Sequence, residues 1–306
     1  MFATNLSGYP KRPDLSSIRN FLAVGGENPF TAAIKKAVQD QVAAGLDIVT
    51  DGQVRDFLNV IASNVPGMKA DSRPRIENAL GVPRRPTAAH DFDIAAAQCG
   101  DARRVKAVLP GPFSFAESCD INTKSLYSSK FDAELLFDIA SVLRFEIEAL
   151  RERKARLIQI VEPVESTYDF EIFADLLSVL FKRVETPVCH IEGNVRSTFP
   201  MLLDANVAVI SFEVVDRPEN RNIREFKELV ETHEKMVCVG CVSTSLTPQE
   251  SLKLIEQRII PFIDAFGYDR VWISPNGTLA NLSFDEAFHK LRQLKIIKDR
   301  IAAKKR

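Results

Sequence analysis

Leu157-Ile158-Gln159-Ile160-Val161-Glu162-Pro163 is an apolar run that stops at an acid and a proline. The run is too short for a buried helix and rich in the branched residues of a buried strand. Further runs of the kind stand at 105–109, 187–190, 208–212, 236–241 and 271–273. Longer segments of helical period separate or follow them, at 131–154, 170–183, 220–235, 248–266 and 284–302. Such alternation marks βαβ units closing on a parallel sheet. Thr247-Pro248-Gln249-Glu250 supplies a cap, a proline and an early acid for the helix beginning at 248. Nearer the N-terminus, a strand is read at 2–6, a helix at 31–44 ended by Gly45, and a strand at 47–50. With the 157–160 run these make eight strands, so the expected class is α/β, a single-domain (β/α)8 TIM barrel over 1–306.

Residues 64–102 break this rhythm, with Pro66, Pro74, Pro83 and Pro86 among Gly67, Gly81 and several arginines. A long loop or small hairpin inserted near the barrel mouth is expected there. With 45% hydrophobic and 26% charged residues, the chain can bury a full-sized core, which excludes the disordered and low-complexity classes. Forty basic and 41 acidic residues leave a net charge of −1, so no overall field favours nucleic acid or anionic lipid, and a small-molecule partner is expected. Apolar runs fall far short of the roughly 20 residues that span a bilayer. Met1-Phe2-Ala3-Thr4-Asn5-Leu6 carries no basic start before an apolar stretch, so a cytoplasmic protein without a signal peptide is expected. The five cysteines are odd in number and scattered, which points to reduced thiols. The basic tail from Lys295 to Arg306 fits cations at a helix C-terminus.

In a barrel of this kind the chemistry collects where the strands end. The residues after the predicted strands include Gly8-Tyr9-Pro10, Asp51-Gly52-Gln53-Val54-Arg55, Pro110-Gly111-Pro112 and Glu162-Pro163. The later strands end in His190-Ile191-Glu192-Gly193-Asn194, Glu213, Cys241-Val242-Ser243 and Pro275-Asn276-Gly277. His190 and Glu192 are two apart and point to one side of an extended segment, and Glu213, one strand on, can face them. One imidazole and two carboxylates can hold a divalent ion such as zinc with a position open, although a lone His-X-Glu is more often a hydrogen-bonded pair than a metal site. Cys189 should face the strand–helix layer as a structural thiol. Cys238 and Cys241 are three apart and face opposite sides, which does not suit the redox use of that spacing. Glu162 directly follows an apolar strand, so it needs a partner or a shifted pKa. Its partner is either a mouth arginine such as Arg55 or Arg196, or substrate.

Asp51-Gly52-Gln53-Val54-Arg55, followed by Ala62-Ser63-Asn64-Val65-Pro66-Gly67-Met68, resembles the second-strand region of the short forms of cobalamin-independent methionine synthase. Leu109-Pro110-Gly111-Pro112 resembles that family's Thr-Gly-Pro turn, and Ile158-Gln159-Ile160-Val161-Glu162-Pro163 its Ile-Gln-Ile-Asp-Glu-Pro. The likeness runs over nearly the whole chain, and the wider superfamily includes uroporphyrinogen decarboxylase. The resemblance implies a zinc ion that binds the homocysteine thiol and lowers its pKa, with His190 and Glu213 as ligands. Glu192 and Gly277 stand where the family has two cysteine ligands. Val161 stands where an aspartate holds the homocysteine amino group, and Ser7-Gly8-Tyr9-Pro10 replaces a Gly-Ser-Tyr-Pro turn. Losing thiolates leaves a harder, more weakly held ion, and losing the aspartate leaves a substrate ammonium without a counter-ion.

The implied function is methyl transfer to a thiol, homocysteine or an analogue, at zinc held by His190, Glu192 and Glu213. Glu162 and Glu192 are then the catalytic acids, and Tyr9, Gln53, Arg55, Ser243 and Asn276 the substrate contacts. Without the second barrel of the long family members, the methyl donor is a corrinoid, a folate or a carrier protein. The alternative is a metal-free superfamily member that acts on, or only binds, an acidic small molecule or corrinoid.

Overall fold

The computed structural model describes residues 1–10, 14–122, 126–163, 169–245 and 250–304. In chain order its strands are β1 (Phe2–Ala3), β2 (Met68–Lys69), β3 (Arg75–Ile76), β4 (Lys106–Pro110), β5 (Asp120–Ile121), β6 (Leu157–Pro163), β7 (Thr186–Glu192), β8 (Val209–Glu213), β9 (Met236–Val242) and β10 (Val271–Pro275). Seven of these form one parallel sheet in the order β1-β10-β9-β8-β7-β6-β4. Residues 48–49 join its two edges, Ile48 bridging Thr4 and Val49 bridging Val105. Across that seam the Ile48 amide donates to the Ala3 carbonyl, Val49 to Arg104, and Lys106 back to Val49. The sheet therefore closes into an eight-stranded barrel, which leaves no edge to pair with another chain.

Closure separates two faces of every strand. Ile48, Leu157, Val188, Val209, Cys238 and Trp272 form an apolar cluster of their own, the floor of the barrel interior. Two residues further along each strand the interior turns polar, with Thr50, Gln159, His190, Ser211 and Ser274 all buried. Lys106 Nζ donates to Gln159 Oε1 at 2.6 Å, and Gln159 Nε2 donates to the Leu6 carbonyl at 3.1 Å. Burial pushes the Lys106 ammonium down to about 8. The opposite faces, with Ile158, Ile160, Cys189, Ile210 and Cys241, pack into the main core beneath the helices. Cys238 and Cys241 thus lie on opposite sides of β9, and Cys189 is a core thiol.

The long helices form where their caps and apolar stripes place them. Pro29–Ala44 has Asn28 as N-cap, proline in its first turn, and Gly45 at φ 88° to end it. Ala133–Glu152 is capped by Asp132, whose side chain accepts from the Glu134 amide. Leu252–Phe266 is capped by Ser251; the start proposed at Thr247, Pro248 and Gln249 lies outside the described residues. Phe284–Lys304 completes the ring. The 220–235 segment is not one α-helix: a 3-10 stretch, Pro218–Phe226, precedes the short helix Lys227–Thr232. Asn220 ties its start to the mouth, accepting from the Val195 amide and donating to the Gly193 and Glu213 carbonyls.

Within 64–102, β2 and β3 pair as an antiparallel hairpin, and β3 continues in parallel onto β5. The last part of that stretch is regular: Ala88–Cys99 is a helix packed against Pro29–Ala44 and Ala133–Glu152. Its alanine-rich sequence has strong helix propensity but a weak apolar stripe, which hides it from periodicity. Glu146 of the neighbouring helix caps it from across the interface, accepting from the Thr87 and Ala88 amides. Among the described residues, no helix is long and apolar enough to cross a membrane.

Candidate active site

A cavity of about 900 Å³ opens at the mouth of the barrel. Ser7, Gly8 and Tyr9 after β1, Gln53 and Arg55 after the seam, Pro110 at the end of β4 and Ser114 beyond it, Val161 of β6, Glu192 of β7 and Asn281 after β10 line it. The residues converge from many strand ends, as the barrel geometry dictates.

Three of the five residues expected to contact substrate line this cavity: Tyr9, Gln53 and Arg55. Tyr9 is buried, and its hydroxyl donates to Asp40 Oδ2 at 3.1 Å, so burial and the Asp40 charge raise its pKa. Gln53 adopts φ 45°, its amide donates to Asp51 Oδ1 at 2.9 Å, and its side chain donates to the Val108 carbonyl at 3.3 Å. Its left-handed backbone turns the Asp51-Gly52-Gln53 segment back across the mouth, after Gly52 at φ 80°. Arg55 stands over the Phe30 ring at 4.5 Å and pairs with Asp91 at 2.8 Å. Asp51, beside this pair, is pushed up to about 6 by burial and by Asp91.

Ser243 and Asn276 do not line the cavity; both are consumed by the loops around them. The Ser243 amide donates to Glu250 Oε2 at 2.7 Å, and its carbonyl accepts from buried Lys290 at 2.7 Å. Asn276 accepts from the Thr244 amide and donates to Asp216 Oδ2, each at 2.7 Å. They clamp the ends of β9 and β10 together.

Glu162 faces away from the cavity, into the layer under the helices. The alternation that turns Gln159 and Val161 inward turns Ile158, Ile160 and Glu162 outward. Among the described residues no arginine meets it: Arg55 pairs with Asp91, and Arg196 with Glu225. Its carboxyl instead sits on the N-terminus of the helix Pro112–Glu117, accepting from the Phe113 amide at 3.1 Å and the Ser114 amide at 2.8 Å. Full burial still outweighs those bonds and pushes its pKa up to about 8. Only a glycine fits at 111, because a Cβ there would overlap the Glu162 side chain.

His190, Glu192 and Glu213 do not assemble a metal site. Among the described residues no three histidine, cysteine, aspartate or glutamate side chains are grouped to share an ion. The His190 ring lies in the buried polar layer with Nδ1 on Ser211 Oγ at 2.9 Å, and burial and Lys106 hold its pKa down to about 3. Glu213 folds back on its own turn, accepting from the Val215 and Asp216 amides at 2.8 and 2.9 Å. Glu192 stands apart from both interactions, exposed to the cavity. Gly277 contributes no donor and, among the described residues, no other histidine, cysteine or carboxylate completes a group with these three, so this donor set does not fit zinc as arranged. The correction to the sequence reading is that same-side alternation aligned the three residues but not their depths or partners.

Sequence reasoning missed Ser114 as a cavity residue, because Pro110-Gly111-Pro112 reads as a turn. The proline after Gly111 is in fact the first helical residue, a signal that could have revealed the helix.

The pattern of the family described as "Cobalamin-independent synthase, Catalytic domain" matches residues 2–171 and 179–299. The methionine synthase of Methanocaldococcus jannaschii is 29% identical over 96% of this chain and 97% of its own length. That of Methanothermobacter thermautotrophicus is also 29% identical, over 96% of this chain and 98% of its own. The solved structure of a B12-independent methionine synthase from Shewanella sp. W3-18-1, in complex with selenomethionine, superposes with a TM-score of 0.80 at 17% identity, covering 99% of this chain and 98% of that one. At that identity the likeness carries the fold, a TIM barrel.

Proposed function

The chain belongs to the cobalamin-independent synthase catalytic-domain family, and from that premise we propose that it is a methyltransferase that methylates the sulfur of a small thiol bound in the mouth cavity. The observation that carries this reading is the match of the family pattern across both halves of a barrel whose mouth holds one large cavity. In the step, the acceptor sulfur forms a bond to the methyl carbon. The bond from the donor to that carbon breaks, the electron pair stays with the donor, and the thiol proton is lost to water or to the donor.

The protein's share is binding and orientation. Tyr9, fixed by Asp40, and Gln53, fixed by Asp51 and Val108, present rigid walls. Arg55, held by Asp91 and Phe30, adds a cation whose position is set before any ligand arrives. Glu192 is the carboxylate that faces the acceptor, and Glu162 is a positioning residue that fixes Ser114 in the wall through the helix N-terminus. When bound in this family, zinc activates the thiol; the residues here do not fit it, so no step is routed through a metal. The relatives named above are matched over nearly their whole length.

The test is a transfer assay with a deuterated methyl group on a methylfolate or on methylcobalamin, with homocysteine as acceptor and mass-spectrometric detection of the thioether. A labelled thioether formed catalytically with either donor supports the reading. A folded protein that yields none with any donor or thiol refutes it.

A further inference from the structure

At the end of the barrel opposite the mouth, the turns that lead into β6 and β7 meet around a hollow of about 310 Å³. Arg151, Lys154, Ala155 and Arg156 line it from the first turn, and Arg183 and Glu185 from the second. The Thr186 amide ties the two turns together by donating to the Arg156 carbonyl at 2.9 Å. Four cations therefore share one small concavity with a single carboxylate.

Part of this charge serves the fold. Helix Phe170–Leu180 ends here, and the carbonyls at its end need donors. Arg144 donates to the Leu180 carbonyl at 2.8 Å and to that of Lys182 at 2.6 Å, and Arg151 Nε donates to the Arg183 carbonyl at 2.8 Å. Glu148 pairs with both of these guanidiniums, and Glu185 pairs with Arg156 at 3.2 Å. Both acids are then engaged, and two cations are left over. Among the described residues neither the Lys154 nor the Arg183 side chain has a hydrogen bond or an ion pair. The charges of Arg151 and Arg183, after burial, hold the pKa of Arg144 down, so the cations act on one another across the hollow.

The backbone gives an independent sign. Lys154 has φ 64° and Arg183 φ 63°, the left-handed conformation that glycine and asparagine adopt most readily. Each turn places a long cation where a glycine would serve the chain reversal better, and both side chains line the same hollow. Turn geometry alone does not call for them.

We propose that this hollow binds a small molecule through a diphosphate group. Arg183 and Arg156 present planar forks that match phosphate oxygens two at a time, and Lys154 adds a point charge. The chain as a whole carries a net charge of −1, so attraction for an anion is local to this end of the barrel. Because the acceptor cavity lies at the other ends of the strands, the assignment is independent of methyl transfer.

Isothermal titration calorimetry of the full chain at low salt, with inorganic pyrophosphate as the probe, tests it. Wild type is expected to bind one pyrophosphate per chain. Lys154→Gly with Arg183→Gly removes both unpaired charges where glycine suits the backbone, so affinity should fall at least tenfold without a lower melting temperature; Lys154→Asn with Arg183→Asn repeats the test with a second residue tolerated there. Arg153→Gln with Lys182→Gln removes two exposed charges beside the hollow and should leave affinity within twofold. ADP distinguishes the source of the group: tighter binding than pyrophosphate marks a nucleotide, and equal binding marks the diphosphate as all that is recognised. No binding of pyrophosphate by wild type, undiminished binding by the glycine pair, or equal weakening by the glycine and flanking pairs overturns the assignment.

Discussion

Gly111→Ala is the substitution that probes most sharply how the site wall is supported. The backbone at Gly111, φ −82°, suits alanine, so any cost is steric. A Cβ at this position overlaps Cγ, Cδ and Oε1 of Glu162, which is fully buried and has nowhere to move. Overpacking costs about 1–3 kcal/mol, and displacing the carboxyl from the Phe113 and Ser114 amides costs about 1 kcal/mol for each bond, so the total is about 4 kcal/mol. Glu162→Ala alone leaves two amides without their acceptor, at about 3 kcal/mol. In the double variant the new methyl occupies space that the carboxyl vacated and the bonds it would have displaced are already gone, so the pair costs about 3 kcal/mol rather than about 7. Urea denaturation of the four proteins, checked for reversibility, measures the coupling of about 4 kcal/mol. Additive costs would refute the account of Glu162 as the carboxyl seated on this helix.

Three further outcomes follow from the same chemistry. The Glu162 pKa is raised from 4.5 to about 8, so the folded state holds a proton that the unfolded state has released; stability from this group is full below pH 4.5 and is lost as pH rises through about 8. Melting temperatures of wild type should fall across that window more than those of Glu162→Gln, whose amide does not titrate. Lys106 has the opposite sign: its pKa is lowered from 10.5 to about 8, the unfolded chain binds more protons between those values, and stability rises with pH there. Lys106→Met should flatten that rise without a large loss at neutral pH, since it removes a buried charge while keeping the apolar stem. Cys119, Cys189, Cys238 and Cys241 are buried and Cys99 is half-buried. A thiol reagent should modify at most one cysteine in the native protein and all five after denaturation.

The barrel was legible because its strands are apolar on both faces and its long helices carry capped apolar stripes. Lys106, Gln159, His190 and Ser211 gave no such signal; they are polar residues on strands that look uniformly apolar, and only closure of the barrel reveals the layer they share. Helix Pro112–Glu117 was hidden inside a proline-rich turn, and Ala88–Cys99 inside a stretch that opens with prolines. For the site, the strand-end rule found Tyr9, Gln53, Arg55 and Glu192. It failed for Glu162, although counting by two from Gln159 already turns that residue outward. The metal triad failed for a different reason: sequence spacing sets the side of a strand but not which hydrogen bonds a side chain prefers. Ser211 takes His190, and the Val215 and Asp216 amides take Glu213.

On the proposed reading, the methyl group changes hands in the mouth cavity. Val161→Trp narrows that cavity from its apolar wall without removing a side-chain hydrogen bond, and a single-turnover transfer of labelled methyl to the thiol compares it with wild type. Label is expected in the thioether with wild type, with at least a hundredfold slower transfer in the narrowed variant at an unchanged melting temperature. Undiminished transfer in Val161→Trp would contradict it.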